Sequence, residues 1–133
     1  MRHVSRLVPL AALGALALTA AACGGSKSSA PKRVVPGKPI QEISIEESDF
    51  KLDPSQVKLD RAGIYRFHAL NSGKKVHALR ITGPGSLSAV TASLKPGQST
   101  TVDVIVRKKG TYTYFDPVAD HKKKGMVGLA LLG

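Results

Sequence analysis

Residues 116–126, with the sequence DPVADHKKKGM, are the most informative part of this chain. They follow the alternating run TYTYF at 111–115 and precede the apolar run VGLALL at 127–132, so they form a loop between two predicted strands. A second loop, NSGKKVH at residues 71–77, also ends on a histidine. Together the two loops offer two imidazoles, a carboxylate and a thioether, which are donors that can bind a metal ion.

This pair of loops resembles the metal-binding end of the cupredoxins, the copper-carrying β-sandwich family of plastocyanin, azurin and rusticyanin. In that family one ligand histidine follows an N-x-G-x-x-x-H-like turn, and a later loop carries cysteine, histidine and methionine. The later loop here has the pattern D-x4-H-x4-M, with aspartate in the place of the cysteine. The resemblance covers about residues 40–132, and it implies that the metal ligands are His77, Asp116, His121 and Met126. It also implies an all-β fold, a Greek-key β-sandwich of about seven or eight strands.

The exchange of cysteine for Asp116 changes the chemistry that the resemblance implies. A blue copper site needs two imidazoles and a thiolate, with a weak axial methionine. Two histidines and a carboxylate suit zinc(II), iron(II) or tetragonal copper(II) instead. We therefore expect copper, or else zinc, at a site without an intense blue colour. The resemblance implies copper handling, or descent from an electron carrier.

Each candidate ligand also has a purely structural interpretation. A lone histidine is often a hydrogen-bonded structural residue, Asp116 before a proline can start a turn, and Met126 can fill the core. Asp120 is an alternative carboxylate, whereas His68 is expected to cover the outside of a sheet. Ala78 replaces the asparagine that several cupredoxins have after the first histidine, so a supporting contact to the metal loop is lost.

The first 22 residues predict a lipoprotein signal peptide. Arg2 and Arg6 precede an apolar run at 7–18, and three alanines lead to Cys23, the only cysteine of the chain. The arrangement resembles a lipobox, although Ala20 stands where leucine is usual, and it implies lipid attachment at Cys23. Ordinary secretory cleavage near Ala22 is the alternative. Residues 23–39 then form a flexible tether rich in Gly, Ser, Lys and Pro, and residues 40–133 form the cupredoxin-like domain.

Alternating runs between turn signals predict the strands. Segments 40–46, 56–59, 64–70, 76–82, 99–106, 111–115 and 126–132 are predicted strands, whereas 86–94 is ambiguous. Side chains two residues apart share a face of a strand. His77 therefore shares a face with Leu79, and Asp116 shares one with Tyr114. Both site residues are expected to point inward at strand ends, where they can converge.

The chain is strongly basic, with a net charge of +11. Five lysines flank the two candidate histidines: Lys74, Lys75, Lys122, Lys123 and Lys124. We call this set the basic rim. An exported chain seldom meets nucleic acid, so we expect instead an acidic protein partner or an anionic envelope polymer. Solvation of exposed loops is the simpler explanation of the same lysines.

The sequence contains no nucleophile elbow and no glycine-rich phosphate loop, so we predict a protein that is not an enzyme. Two functions stay open. The first is an exported protein, anchored through lipid on the extracytoplasmic side of the cell membrane, that binds copper or another divalent metal. The second is a metal-free module of the same fold that binds a protein or an anionic envelope component. In either case a monomer is expected.

Overall fold

The computed structural model describes residues 36–133. The strands are β1 Gln41–Ser48, β2 Lys51–Asp53, β3 Gln56–Leu59, β4 Gly63–Asn71, β5 Arg80–Gly83, β6 Leu87–Val90, β7 Ser99–Val106, β8 Gly110–Phe115 and β9 Val127–Leu132, with one 3-10 turn at Lys122–Lys124. The predicted all-β sandwich is confirmed for this part of the chain. The predicted signal peptide, Cys23 and most of the predicted tether lie outside the described residues. No helix between residues 36 and 133 is long and apolar enough to cross a bilayer.

The strands form two mixed sheets. One has four strands in the order β2-β1-β4-β7, and the other has five in the order β3-β9-β8-β5-β6. The pairs β1–β4 and β3–β9 are parallel, and the remaining pairs are antiparallel. Parallel neighbours require crossover connections between the sheets, so segments distant in sequence reach the same end of the sandwich.

Alternation of inward and outward side chains builds the core between the sheets. Along β4 the buried residues are Tyr65, Phe67, Ala69 and Asn71, and Tyr112 and Tyr114 are buried along β8. The alternation that the sequence predicts around Tyr114 is therefore observed. Removing each large apolar side chain from water contributes about 1.5–3 kcal/mol.

The three buried tyrosines each donate a hydrogen bond from the phenol to a main-chain carbonyl. Tyr65 bonds Arg61 O at 2.8 Å, Tyr112 bonds Lys108 O at 2.7 Å and Tyr114 bonds Pro54 O at 2.6 Å. Burial, and secondarily the charge of Asp53, raises the pKa of Tyr114 to about 12. The Tyr114 phenol thus stays a neutral donor, and the three hydrogen bonds tie connecting loops to the sandwich.

The predicted strand 76–82 is shorter in the structure, where β5 begins only at Arg80. Ala78 N donates to Asp116 Oδ1 at 3.3 Å, and Leu79 N donates to Thr91 Oγ1 at 2.9 Å. His77 makes an isolated bridge to Leu94. Polar side chains therefore replace strand pairing in this segment, which a pattern of apolar residues cannot reveal.

The three-residue strand β2 was not predicted either, because it is too short to show alternation.

Two glycines leave room for aromatic rings on the neighbouring strand. A Cβ atom at Gly128 would lie 2.2 Å from Tyr114 Cε2, and one at Gly83 would lie 2.1 Å from Tyr112 Cδ1. Gly128 is the direct partner of Tyr114 in the β8–β9 register. The rings therefore cover the glycines and occupy the space that a side chain would need.

We predict that Gly128→Ala destabilises the domain by roughly 1–3 kcal/mol, because the added methyl group overlaps a buried ring that cannot move without losing its hydrogen bond. Denaturant unfolding followed by tyrosine fluorescence measures the change. Gly133→Ala is the control, since nothing lies within 4 Å of its added Cβ atom. Equal unfolding midpoints for the two variants would contradict this packing.

Candidate metal centre

The candidate ligands come from two loops at one end of the sandwich. His77 lies in the β4–β5 connection, and Asp116, His121 and Met126 lie in the β8–β9 connection. His77, Asp116 and Met126 are fully buried, and His121 is 6% exposed. Asp116 N donates to Met126 O and Met126 N donates to His121 O, so the main chain closes the β8–β9 loop on itself.

The two imidazoles converge on one carboxylate oxygen. The Nδ1 atoms of His77 and His121 each lie 2.7 Å from Asp116 Oδ2, and the two ring centroids are 5.0 Å apart. One donor atom from each of these three residues lies within 4.8 Å of the others. The structure thus brings together three of the four residues that the resemblance implied as ligands, around a single point.

The second oxygen of Asp116 is held by the main chain. Oδ1 accepts hydrogen bonds from Val118 N at 2.8 Å and from Ala78 N at 3.3 Å. The bond from Val118 is the aspartate turn that the sequence allowed as an alternative role. The bond from Ala78 connects the two loops through the main chain, at the position where several cupredoxins have an asparagine side chain. Two main-chain N–H groups and two imidazole nitrogens therefore lie against this carboxylate.

Asp49 fixes the outer nitrogen of His77. Its Oδ1 lies 3.1 Å from His77 Nε2, and it accepts hydrogen bonds from the main chain of Lys74 and Lys75 at 2.9 and 3.2 Å. Desolvation works to raise the pKa of Asp49, but the bonds from His77, Lys74 and Lys75 together lower it below the ordinary value. An ionised carboxylate only accepts, so Nε2 of His77 carries a proton.

This assignment decides what can occupy the space between His77 and Asp116. When Nε2 holds the proton of a neutral ring, Nδ1 presents a lone pair toward Asp116 Oδ2. Two acceptors at 2.7 Å repel each other unless a cation, either a proton or a metal ion, lies between them. A carboxylate on the outer nitrogen is also the arrangement that orients metal-binding histidines in proteins. No local sequence signal points to Asp49, which lies in the β1–β2 turn.

The loop 71–77 is shaped by its first and third residues. Asn71 Nδ2 donates to Lys75 O at 2.7 Å and to Leu94 O at 2.8 Å, while its Oδ1 accepts from Gly73 N. A Cβ atom at Gly73 would lie 2.4 Å from Asp49 Oδ1 and 2.9 Å from His77 Nε2. Asparagine therefore holds the loop, and glycine leaves room for the Asp49–His77 contact.

Met126 is part of the hydrophobic core cluster, as its structural interpretation predicted. Its main chain is hydrogen-bonded to the main chain of Asp116 and of His121, so its backbone is adjacent to both candidate ligands. Its thioether as an axial ligand stays a prediction. The edge of Phe50 packs against the ring of His121 at a centroid distance of 5.6 Å and shields it from solvent.

Two other residues considered from the sequence lie apart from the three-residue cluster. Asp120 is exposed and forms an ion pair with Lys124 at 3.3 Å, so it does not serve as the substitute carboxylate. His68 is half-buried on β4 between the buried residues Phe67 and Ala69, so it faces the outside of the sheet as predicted.

The basic rim is exposed at all five positions. The Nζ atom of Lys122 lies 3.9 Å from the ring centroid of Phe115, and that of Lys124 lies 4.6 Å from the ring centroid of Phe50. These contacts hold two of the ammonium groups against aromatic faces beside the metal loop. The end of the domain that contains the cluster is thus positively charged at its surface and anionic inside.

A second buried carboxyl group lies at the end of β1. Glu47 is fully buried, and neither of its oxygens has a hydrogen-bond partner within residues 36–133. Burial, with the charge of Asp116 as the second cause, raises the pKa of Glu47 from its usual 4.5 to about 8. The alternation of β1 places it inward, but an acidic residue in a strand gives no sequence signal for burial.

A family model described as Cupredoxin-like domain matches residues 11–127, so this chain belongs to the family of cupredoxin-like domains. Auracyanin B superposes with a TM-score of 0.67 at 19% identity, over 75% of this chain and 94% of that protein. Auracyanin A, a "blue" copper protein from Chloroflexus aurantiacus, superposes with a TM-score of 0.61 at 15% identity, over 72% of this chain and 100% of that protein. A copper-containing nitrite reductase from Thermus scotoductus gives 0.55 at 16% identity, over 72% of this chain and 31% of the enzyme.

At these identities the likeness to the solved structures shows the fold alone. No curated protein matches this chain in sequence.

The residues present fit a divalent metal ion. An ion bound about 2.0–2.2 Å from each donor keeps neighbouring donors roughly 2.8–3.6 Å apart, from right-angled to tetrahedral arrangements. The two contacts of 2.7 Å therefore need to open by less than about 1 Å. The donors are imidazole nitrogen and carboxylate oxygen, with aspartate at the position of the thiolate.

We predict that Glu47→Gln removes a large part of the pH dependence of stability in the metal-free protein. The folded pKa lies above the unfolded one, so the contribution of Glu47 is fully present below pH 4.5 and is lost as the pH rises to about 8. The stability gap between the variant and the wild type should therefore grow by roughly 3–5 kcal/mol from pH 5 to pH 8.

Denaturant unfolding in the presence of a chelator, at several pH values, measures this gap. Glu46→Gln is the matched control, because Glu46 is the exposed neighbour on the same strand. Parallel stability curves for Glu47→Gln and the wild type would show that Glu47 is not held in its neutral form.

Proposed function

We propose that this chain is an exported, lipid-anchored cupredoxin-like protein that binds a divalent metal ion at a site without a thiolate. The observation that carries the proposal is the convergence of two buried imidazole Nδ1 atoms on Asp116 Oδ2, both at 2.7 Å. The blue copper protein with which the chain shares its fold makes copper(II) the first ion to consider, and the oxygen donor makes zinc(II) the second.

In this proposal Nδ1 of His77, Nδ1 of His121 and Oδ2 of Asp116 would hold the ion, and Met126 would offer a weak thioether. A bound ion would supply positive charge between the imidazoles and the carboxylate. Asp49 keeps the proton of His77 on Nε2 and so leaves Nδ1 free to bind. Val118 and Ala78 hold Asp116 through its other oxygen, which fixes the direction of Oδ2.

The donor set favours holding a metal ion over passing electrons. A carboxylate oxygen is a hard ligand that stabilises copper(II) relative to copper(I), whereas a thiolate and a thioether accommodate both states. Burial of all three donors leaves little open face for a substrate, which argues for binding or handling of the ion and against catalysis. We therefore infer a role in copper or zinc handling outside the cytoplasm.

The location rests on the sequence of the N-terminal segment. The basic start, the apolar run and the small residues before Cys23 support export and lipid attachment on the extracytoplasmic side. The tether of residues 23–39 would then hold the domain close to the bilayer, with the single cysteine used for anchoring.

A second candidate function is a metal-free binding module, and one observation favours it. When protons rather than an ion lie between the imidazoles and Asp116, the two rings and two main-chain N–H groups satisfy the carboxylate from within the protein, so the loops are held together without an ion. The basic rim would then bind an acidic protein or an anionic envelope polymer. Such binding should weaken steeply with salt, because exposed ammonium groups are screened.

Equilibrium titration with copper(II) and zinc(II) tests the first function against the second. We expect one ion per chain, with affinity lowered at least about a hundredfold in His77→Ala and in Asp116→Ala, since each removes a donor from a buried three-donor site. His68→Ala is the matched control, because it removes a histidine outside the cluster.

The copper(II) form should show no strong absorption near about 600 nm, which requires a thiolate ligand. Wild-type affinity no greater than that of either ligand variant would support the metal-free module instead. An intense blue band would contradict the assignment of Asp116 as the third ligand.

A further inference from the structure

Glu47 is a buried acid whose position the three-donor cluster does not explain. Its side chain follows Ile43 and Ile45 on the inward face of β1, and it is completely buried. Both carboxyl oxygens are without a hydrogen-bond partner in the described part of the chain. Most buried polar groups in folded proteins are hydrogen-bonded, so an unpartnered buried carboxyl group needs a specific explanation.

The cost of this arrangement is large compared with the stability of a small domain. Burying a carboxyl group without a hydrogen-bond partner is strongly unfavourable, and a small domain is only marginally stable. The residues on the same face of β1 are isoleucines, so an apolar side chain at this position would continue the pattern. The acid therefore destabilises the metal-free protein.

Glu47 lies at the same end of the sandwich as the cluster. It is the register partner of Asn71, which holds the His77 loop, and its carbonyl oxygen accepts hydrogen bonds from Ser72 N and Gly73 N. The chain then turns at Asp49, which contacts His77 Nε2. After burial itself, the charge of Asp116 also contributes to raising the pKa of Glu47.

We propose that Glu47 is the second carboxylate of the metal centre, where it balances the charge of a bound divalent ion and offers it a further oxygen ligand. The inference rests on the proposed metal-binding function. Glu47 is not among the three donors within 4.8 Å of one another. It therefore acts on the ion after a change of side-chain rotamer or through one bridging water molecule.

Charge balance is the physical reason for a second carboxylate. A divalent ion with Asp116 as its only anionic ligand leaves a net charge of about +1 among the buried ligands, because Asp49 contacts only the outer nitrogen of His77 and the main chain of the neighbouring loop. An uncompensated buried charge is strongly unfavourable. Glu47 brings the centre to neutrality. A monovalent ion would instead make the centre negative, so the pair of carboxylates selects divalent ions, copper(II) and zinc(II), over copper(I).

The test compares the isosteric variant Glu47→Gln with Glu46→Gln, the exposed neighbour on the same strand. Affinities for zinc(II), copper(II) and copper(I) are measured by competition with chelators of known affinity. We expect Glu47→Gln to lower zinc(II) affinity at least tenfold and to lower the ratio of copper(II) to copper(I) affinity by a similar factor. Glu46→Gln should leave both unchanged.

The outcomes separate this inference from the proposed function. If Glu47→Gln binds zinc(II) and both copper ions like the wild type while His77→Ala does not, the metal site stands and the role of Glu47 is overturned. Wild-type protein without His77-dependent metal binding overturns both. Since glutamine keeps the shape of the side chain and removes a buried acid, the metal-free variant should unfold at an equal or higher denaturant concentration. This measurement excludes misfolding as the cause of weaker binding.

Discussion

The carboxylate of Asp116 joins the two loops at the end of the sandwich. One of its oxygens faces the Nδ1 atoms of His77 and His121, and the other accepts main-chain hydrogen bonds from Val118 and Ala78. Because these donors come from both connections, one buried side chain fixes the separation of segments that are about forty residues apart in sequence. Two main-chain donors, together with a cation shared with the imidazoles, make a buried carboxylate stable where an isolated one is not.

The surrounding structure serves to keep this carboxylate and its histidines in place. Asn71 supports the first loop through two carbonyls, and Gly73 leaves the space in which Asp49 meets His77. Packing of the sheets against this end buries all three donors, which excludes water and strengthens every electrostatic contact among them. Glu47 differs from these residues, because its unpartnered burial lowers the stability of the domain. This cost is the reason for proposing that it interacts with a bound ion.

The family resemblance and the residues present lead to different chemistry at the same place. A thiolate at position 116 would bind copper in both oxidation states, whereas an aspartate provides a hard oxygen and a turn-forming hydrogen-bond acceptor. The backbone of Ala78 also replaces a side chain as the brace between loops. The fold therefore brings two histidines and a third donor together at one end, and the chemistry of that third donor differs from a thiolate, which agrees with the general rule that sites and not folds determine function.

Local sequence determined the strands, the inward direction of Tyr114 and His77, and the two loops, because strand periodicity and turn residues act over only a few positions. It could not reveal Asp49 or Glu47, because nothing local distinguishes a buried or bridging acid from the exposed Glu46 beside it. The sequence pattern also predicted too long a strand at 76–82. In the structure the side chains of Asp116 and Thr91, which are distant in sequence, accept hydrogen bonds from the main chain of this segment. Such long-range hydrogen bonds form only when the parallel pairing of β1 with β4 and of β3 with β9 has brought distant segments together. The partners of these buried polar groups were therefore decided by the tertiary structure.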